Sequence, residues 1–100
     1  MACFLRNEGE VAAGASGLTE FDRLFVKYLW VVDYMRGQGI GREVLLRLEM
    51  AAKERGARDA LIETLSDSTA RLYERWGYSE IALVPRYVGE FDRHILLKRL

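Results

Sequence analysis

Three residue types that carry special chemistry are nearly missing from this 100-residue chain, which has one cysteine (Cys3), one histidine (His94) and one proline (Pro85). A single cysteine cannot form an internal disulfide, and one histidine without cysteine partners makes no clustered set of metal ligands. A reducing cytosol and a metal-free mechanism are therefore expected. An excess of charge is missing too: 15 basic residues balance 15 acidic ones. No global field draws the chain to nucleic acid or to anionic lipid, so neither is an expected partner and any anion site must be local. No apolar run approaches the ~18 residues of a membrane span, and Met1–Arg6 lacks the pattern of an export leader. The expected location is cytoplasmic.

What is present suits one folded domain over residues 1–100. Half of the residues are hydrophobic and 30% are charged, and so short a chain cannot build two cores. Cys3–Arg6 and Val11–Leu18 read as strands joined at Asn7-Glu8-Gly9-Glu10, a tight hairpin turn. Leu24–Val32, rich in β-branched and aromatic residues with little polar alternation, predicts a central strand buried on both faces. Val44, Leu45, Leu48, Ala51 and Ala52 recur at helical spacing, with Gly56 placed to end the helix. Ala60–Leu65 predicts a strand. Ser66 is the expected N-cap of a second helix that turns Ala70, Tyr73 and Trp76 inward before Gly77 stops it. Ser79–Val84 and His94–Leu100 read as closing strands, joined by a loop around Pro85 and Gly89. The order βββαβαββ implies a mixed α/β sheet.

The turn Arg36-Gly37-Gln38-Gly39-Ile40-Gly41 lies between a strand and a helix, where unpaired amides and the positive end of the helix dipole converge. Such a point attracts phosphate. Glycine lets the backbone approach an anion and adopt the dihedrals that aim successive amides at it. The dinucleotide fingerprint G-x-G-x-x-G fails in both registers, at Arg42 and at Val44, and no Gly-Lys-Ser/Thr of a Walker motif is present. The plain alternative is a turn that uses glycine only for tightness.

Two motifs, in order, decide between these readings. Leu29-x-Val31 followed by Arg36-x-x-Gly39-x-Gly41 resembles the coenzyme A signature R/Q-x-x-G-x-G/A of the GNAT superfamily of N-acetyltransferases. Leu72-Tyr73-Glu74-Arg75-Trp76-Gly77-Tyr78 resembles that family's L-Y-E-x-x-G-F/Y segment. The likeness runs from about residue 3 to the end, and the family fold has a strand and two helices ahead of the first hairpin, so a short form is expected. The resemblance implies that acetyl-CoA is the cofactor, that the backbone of Leu29, Trp30 and Val31 pairs with the pantetheine arm, and that Gly37, Gln38, Gly39, Ile40, Gly41 and Arg42 cradle the pyrophosphate with help from the side chain of Arg36 or Arg42. Tyr73 matches the tyrosine that assists the departing thiolate; the alternative is a core tyrosine with its hydroxyl tied to backbone. Ser66 stands where many members carry a cofactor-contacting asparagine, and Asp33 where a proline often follows the strand.

An amine acceptor must lose a proton as it attacks a thioester. Asp33, Glu63, Glu20 or a water chain are the candidates, and His94 is expected to be a half-exposed strand residue. Arg86 and Tyr87, in the Pro85–Phe91 loop, are expected at the acceptor entrance. The apolar content suits a homodimer. A rival reading is a non-catalytic acyl-CoA-binding module; Tyr73 favours the enzyme, because a pure binder has no use for an acid beside the sulfur.

Overall fold

The structure, a computed structural model, describes residues 1–100. In chain order it contains β1 (Ala2–Asn7), β2 (Glu10–Glu20), β3 (Arg23–Val31), a 3-10 turn at Asp33–Met35, α1 (Ile40–Glu54), β4 (Asp59–Thr64), α2 (Asp67–Arg75), β5 (Ser79–Val88) and β6 (Phe91–Arg99). The expected order βββαβαββ is the observed one. The strands form one mixed sheet, β1-β2-β3-β4-β6-β5, in which only β3 and β4 run parallel.

Local chemistry sets the ends of these elements. Glu8 and Gly9 both have positive φ (52° and 85°), which is the backbone of a two-residue turn whose twist matches its strands. The Ser66 hydroxyl caps α2 by accepting the Thr69 N–H at 3.2 Å. Gly56 and Gly77, at φ 97° and 99°, end the two helices in a conformation that costs other residues energy.

Both helices lie on the same face of the sheet, α1 against β1 to β3 and α2 against β4 to β6. The core between them contains Ala13, Ala15, Leu24, Val44, Leu45, Leu48, Ala60, Ile62 and Leu96. Each of the fully buried leucines contributes about 2 kcal/mol by leaving water. A buried Glu49 on α1 accepts the Tyr78 hydroxyl at 2.6 Å and the Lys98 ammonium at 2.8 Å, tying α1 to the turn between α2 and β5 and to β6.

With no helix on the other face, β3 is not buried on both sides as its composition suggested. Tyr28 is 72% exposed and Trp30 42% exposed, and Phe4 and Leu18 share that outer face. The strand lacks polar alternation because its outer residues are aromatic. Two other expectations need correction. His94 is buried, not half-exposed: its Nε2 lies 2.7 Å from Asp67 and its Nδ1 bonds Glu80. The segment around Pro85 is also not a loop, since β5 continues to Val88 through a bulge in which residues 85–87 lie between the pairs Val84–Arg93 and Val88–Phe91. An edge strand tolerates a residue without an N–H, and the Asp92 carboxylate accepts the displaced Arg86 amide at 2.9 Å.

One irregularity shapes the middle of the sheet. Ser16 pairs with Tyr28 and Gly17 with Val26, so Lys27 is an extra residue on β3. Such a bulge bends its strand and sharpens the twist. It also resets the alternation, so that Leu24 and Val26 before it and Leu29 and Val31 after it all turn toward the helices. The pairing of β3 with β4 covers only Arg23–Asp59, Leu24–Ala60 and Phe25–Leu61, and ends just before the bulge. Arg23 and Asp59 staple the closed end through two bonds of 2.7 and 3.0 Å. Beyond Phe25 and Leu61 the two parallel strands part.

Candidate active site

The gap between the parted strands leads into a cleft of about 660 Å³. One wall is Leu29, Trp30 and Val31 of β3; the floor is the glycine turn with Met35 and Ile40; the opposite wall is Thr69, Leu72, Tyr73, Arg75 and Trp76 from α2 and its end. Two parts of the chain singled out separately in sequence therefore face each other.

Gly37 and Gly39 have φ of 80° and 77°, and a Cβ built on either would meet no atom within 4 Å. Glycine is needed there for backbone conformation, and the space in front of the turn is open. Gly39 is the N-cap of α1 and offers no side chain, and Glu43 is the first helix amide to bond back, to the Gly39 carbonyl at 3.1 Å. The amides of the first turn are left as unpaired donors at the positive end of a 15-residue helix, which is the donor set that a pyrophosphate requires. Gly41 has another role. A Cβ there would make ordinary contacts with Trp76 and Val31 at 3.4 Å, so Gly41 stands where the start of α1 meets both walls.

Tyr73 is buried, and its ring is held by Trp76 and Tyr78, with centroids at 5.7 and 6.2 Å. Its hydroxyl makes no hydrogen bond within the protein, and no buried polar side-chain atom lacks a partner. The hydroxyl therefore opens on the cleft and is not tied to backbone. Burial raises the Tyr73 pKa above its ordinary value near 10, so at neutral pH the group is a phenol able to donate. Tyr78 is the contrasting case, with its hydroxyl spent on Glu49.

The remaining expected residues divide. Arg36 stands at the rim, bonded to the Val31 carbonyl at 3.4 Å and paired with Asp33 at 3.2 Å. Gln38, which donates to the Tyr34 carbonyl, and Arg42 are outside the cleft lining. Ser66 is outside it as well and acts as the helix cap. Of the proposed bases, Asp33 is an exposed carboxylate beside Arg36. Glu20 pairs with Arg23 at the closed end of β3, about 20 Å of strand away from Leu29. Glu63 is on β4 past the last β3 pair, bonded to Arg93.

The bulge and the cleft residues Met35, Thr69, Leu72, Arg75 and Trp76 were not among the expected site features. Three of these were readable, since Thr69, Leu72, Tyr73 and Trp76 have the i, i+3, i+4, i+7 spacing of one helix face. The bulge leaves only the weak trace of a glycine inside a strand, Gly17.

A sheet whose only parallel pair splays beside a glycine-rich helix start and a free phenol defines an acyl-CoA N-acyltransferase fold. Residues 2–80 match the acetyltransferase (GNAT) domain, and the chain belongs to that family, whose acyl donor is acetyl-CoA. It is 38% identical over 78 residues to an acetyltransferase of Agrobacterium fabrum, covering 77% of this chain and 57% of that protein. It is 34% identical over 93 residues to a blasticidin-S acetyltransferase of Streptomyces morookaense, covering 92% of this chain and 68% of the relative. The chain thus spans between about half and two thirds of these relatives. A crystal structure of an acetyltransferase from Bacillus cereus superposes with a TM-score of 0.92 at 31% identity, over all of this chain and 72% of the other.

Proposed function

We propose that the protein transfers an acetyl group from acetyl-CoA directly to an amine. The observation that carries this reading is the free Tyr73 hydroxyl on the wall of the cleft, facing Leu29–Val31 and the glycine turn. The unpaired first-turn amides of α1 hold the pyrophosphate, with Arg36 and Arg75 at the rim supplying positive charge. The backbone of Leu29–Val31, freed from β4 by the bulge, pairs with the extended pantetheine arm as a further strand would.

A protonated amine has three N–H hydrogens; one proton goes to a base, either a carboxylate or water. The nitrogen lone pair then forms the C–N bond and the C–S bond breaks. The second proton goes to the thiolate, giving an amide and a free thiol. Tyr73 assists by donating a hydrogen bond to the sulfur. Its pKa is above that of a thiol, about 8.5, so it stabilises the leaving group without needing to lose its own proton.

Acetyl-CoA incubated with a panel of amines tests the reading. Amine-dependent release of free thiol supports it. Acetyl-CoA binding without thiol release would support the non-catalytic acyl-CoA-binding alternative. We also propose a homodimer in the cytoplasm. The outer face of β1 to β3, carrying Phe4, Leu18, Tyr28 and Trp30, supports the assembly, and a monodisperse monomer in sedimentation at micromolar concentration would refute it.

A further inference from the structure

A second recess, of about 590 Å³, begins where β3 and β4 part. It is lined by Phe25, Val26 and Lys27 of β3, by Leu61, Glu63, Thr64 and Leu65 on the β4 side, and by Arg93 of β6. Leu24, Ala60, Ile62 and Leu96 turn toward the helices, so Phe25, Leu61, Glu63 and Arg93 face the other way, and the recess opens at the same gap as the Tyr73 cleft but on the opposite face of the sheet. Two residues along β3, Leu29 already lines that cleft.

The charges in the recess are unequal: two cations, Lys27 and Arg93, and one anion, Glu63. Arg93 spends one Nη on Glu63 Oε2 and lays its guanidinium over the Tyr87 ring at 4.6 Å. A guanidinium has five N–H donors in a planar fork, so this arrangement holds it in place without exhausting it. The Lys27 ammonium, on the bulge, stands 5.7 Å from the Phe25 ring and has no carboxylate partner. Glu63 Oε1 likewise receives no protein donor. The recess thus offers a positioned fork and a second ammonium for an anion, one carboxylate oxygen for a cation, and apolar surface from Phe25, Leu61 and Leu65.

The geometry points to an acceptor that is a primary amine bearing its own carboxylate, of the α-amino acid type with an apolar side chain. Its carboxylate sits on Arg93 and Lys27, its ammonium is received by the free oxygen of Glu63, and its side chain lies on Phe25 and Leu61. This assignment rests on the acetyl-transfer reading above and adds the chemical class of the acceptor.

The test is binding to the CoA-saturated protein, followed by NMR shifts or calorimetry, with L-leucine and L-leucinamide as probes that differ only in the carboxylate. Leucine is expected to bind at least about tenfold more tightly. Arg93→Gln and, independently, Lys27→Gln should remove most of that preference while leaving CoA affinity unchanged; the second variant alters no ion pair of the fold. Leucinamide binding as well as leucine, no leucine binding in the millimolar range, or a preference that survives both substitutions would overturn the assignment. Thiol release separates the two readings. Transfer to leucinamide and other amines but not to leucine leaves the enzyme standing and removes this acceptor class. No thiol release with any amine removes the enzyme reading itself.

Discussion

A Cβ placed on Gly17 would stand 2.3 Å from the carbonyl oxygen of Phe25. Gly17 faces Val26 across the ladder, beside the extra residue Lys27, so a residue without a side chain is what lets β3 bulge toward β2. The bulge in turn ends the β3–β4 ladder and opens the gap in which both recesses lie. Gly17→Ala is expected to destabilise the fold by about 2–3 kcal/mol, through a backbone contact that cannot be relieved by a rotamer change. Urea unfolding checks this, and an unchanged midpoint would show that the bulge does not depend on glycine.

Tyr73→Phe removes one oxygen that bonds nothing in the protein. The folded state should therefore keep its stability to within about 0.5 kcal/mol, and CoA affinity should change little. Turnover should fall by about 10²-fold if the hydroxyl assists the thiolate. Thiol-release kinetics alongside CoA calorimetry separate these quantities, and equal losses in both would mean a binding role.

Tyr78→Phe should show the opposite pattern. It strips a hydrogen bond from buried Glu49, which keeps only Lys98. The expected cost is about 1–3 kcal/mol of stability, with kcat preserved in the molecules that remain folded. Thermal melts and activity at low temperature make the comparison.

Gly39→Ala forces a side chain into φ near 77° where no neighbouring atom obstructs it. The cost is conformational, about 1–2 kcal/mol, and it falls on the amides proposed to meet the pyrophosphate. CoA affinity is expected to drop about tenfold. Gly41→Ala, whose φ is not positive and whose Cβ would make ordinary contacts with Trp76 and Val31 at 3.4 Å, carries no such backbone cost, so urea midpoints separate the two variants.

The His94 pKa is raised above 6.5 by its hydrogen bonds to Glu80 first and Asp67 second, against the opposing effect of burial. The folded state holds that proton more tightly than the unfolded chain. The contribution is fully present below about 6.5 and is lost as pH rises through the raised folded value. Asp59 behaves in the opposite sense. The bond from Arg23 lowers its pKa, so its contribution is present above the ordinary carboxylate value and fades in acid. Urea midpoints should fall on the alkaline side for the native chain and less so for His94→Gln; parallel profiles would refute the histidine's part.

Much of the chain could be read from short-range chemistry. The Glu8-Gly9 turn, the Ser66 cap, the stops at Gly56 and Gly77 and the stripe Val44, Leu45, Leu48 and Ala52 each depend on residues within a few positions of one another, and periodicity and dihedral preference report them directly. The cleft was half legible for the same reason: Arg36–Gly41 and Tyr73 are local signals, each on its own element. What only the tertiary structure decided was which residues share a space. That both helices fall on one face, leaving Tyr28 and Trp30 outward, that His94 is enclosed by carboxylates from α2 and β5, and that Lys27, Glu63 and Arg93 meet at the mouth of a splay all depend on strand register. One extra residue in β3 shifts that register, and along the chain only Gly17 hints at it, because the atom that makes Gly17 necessary is a carbonyl oxygen on the neighbouring strand.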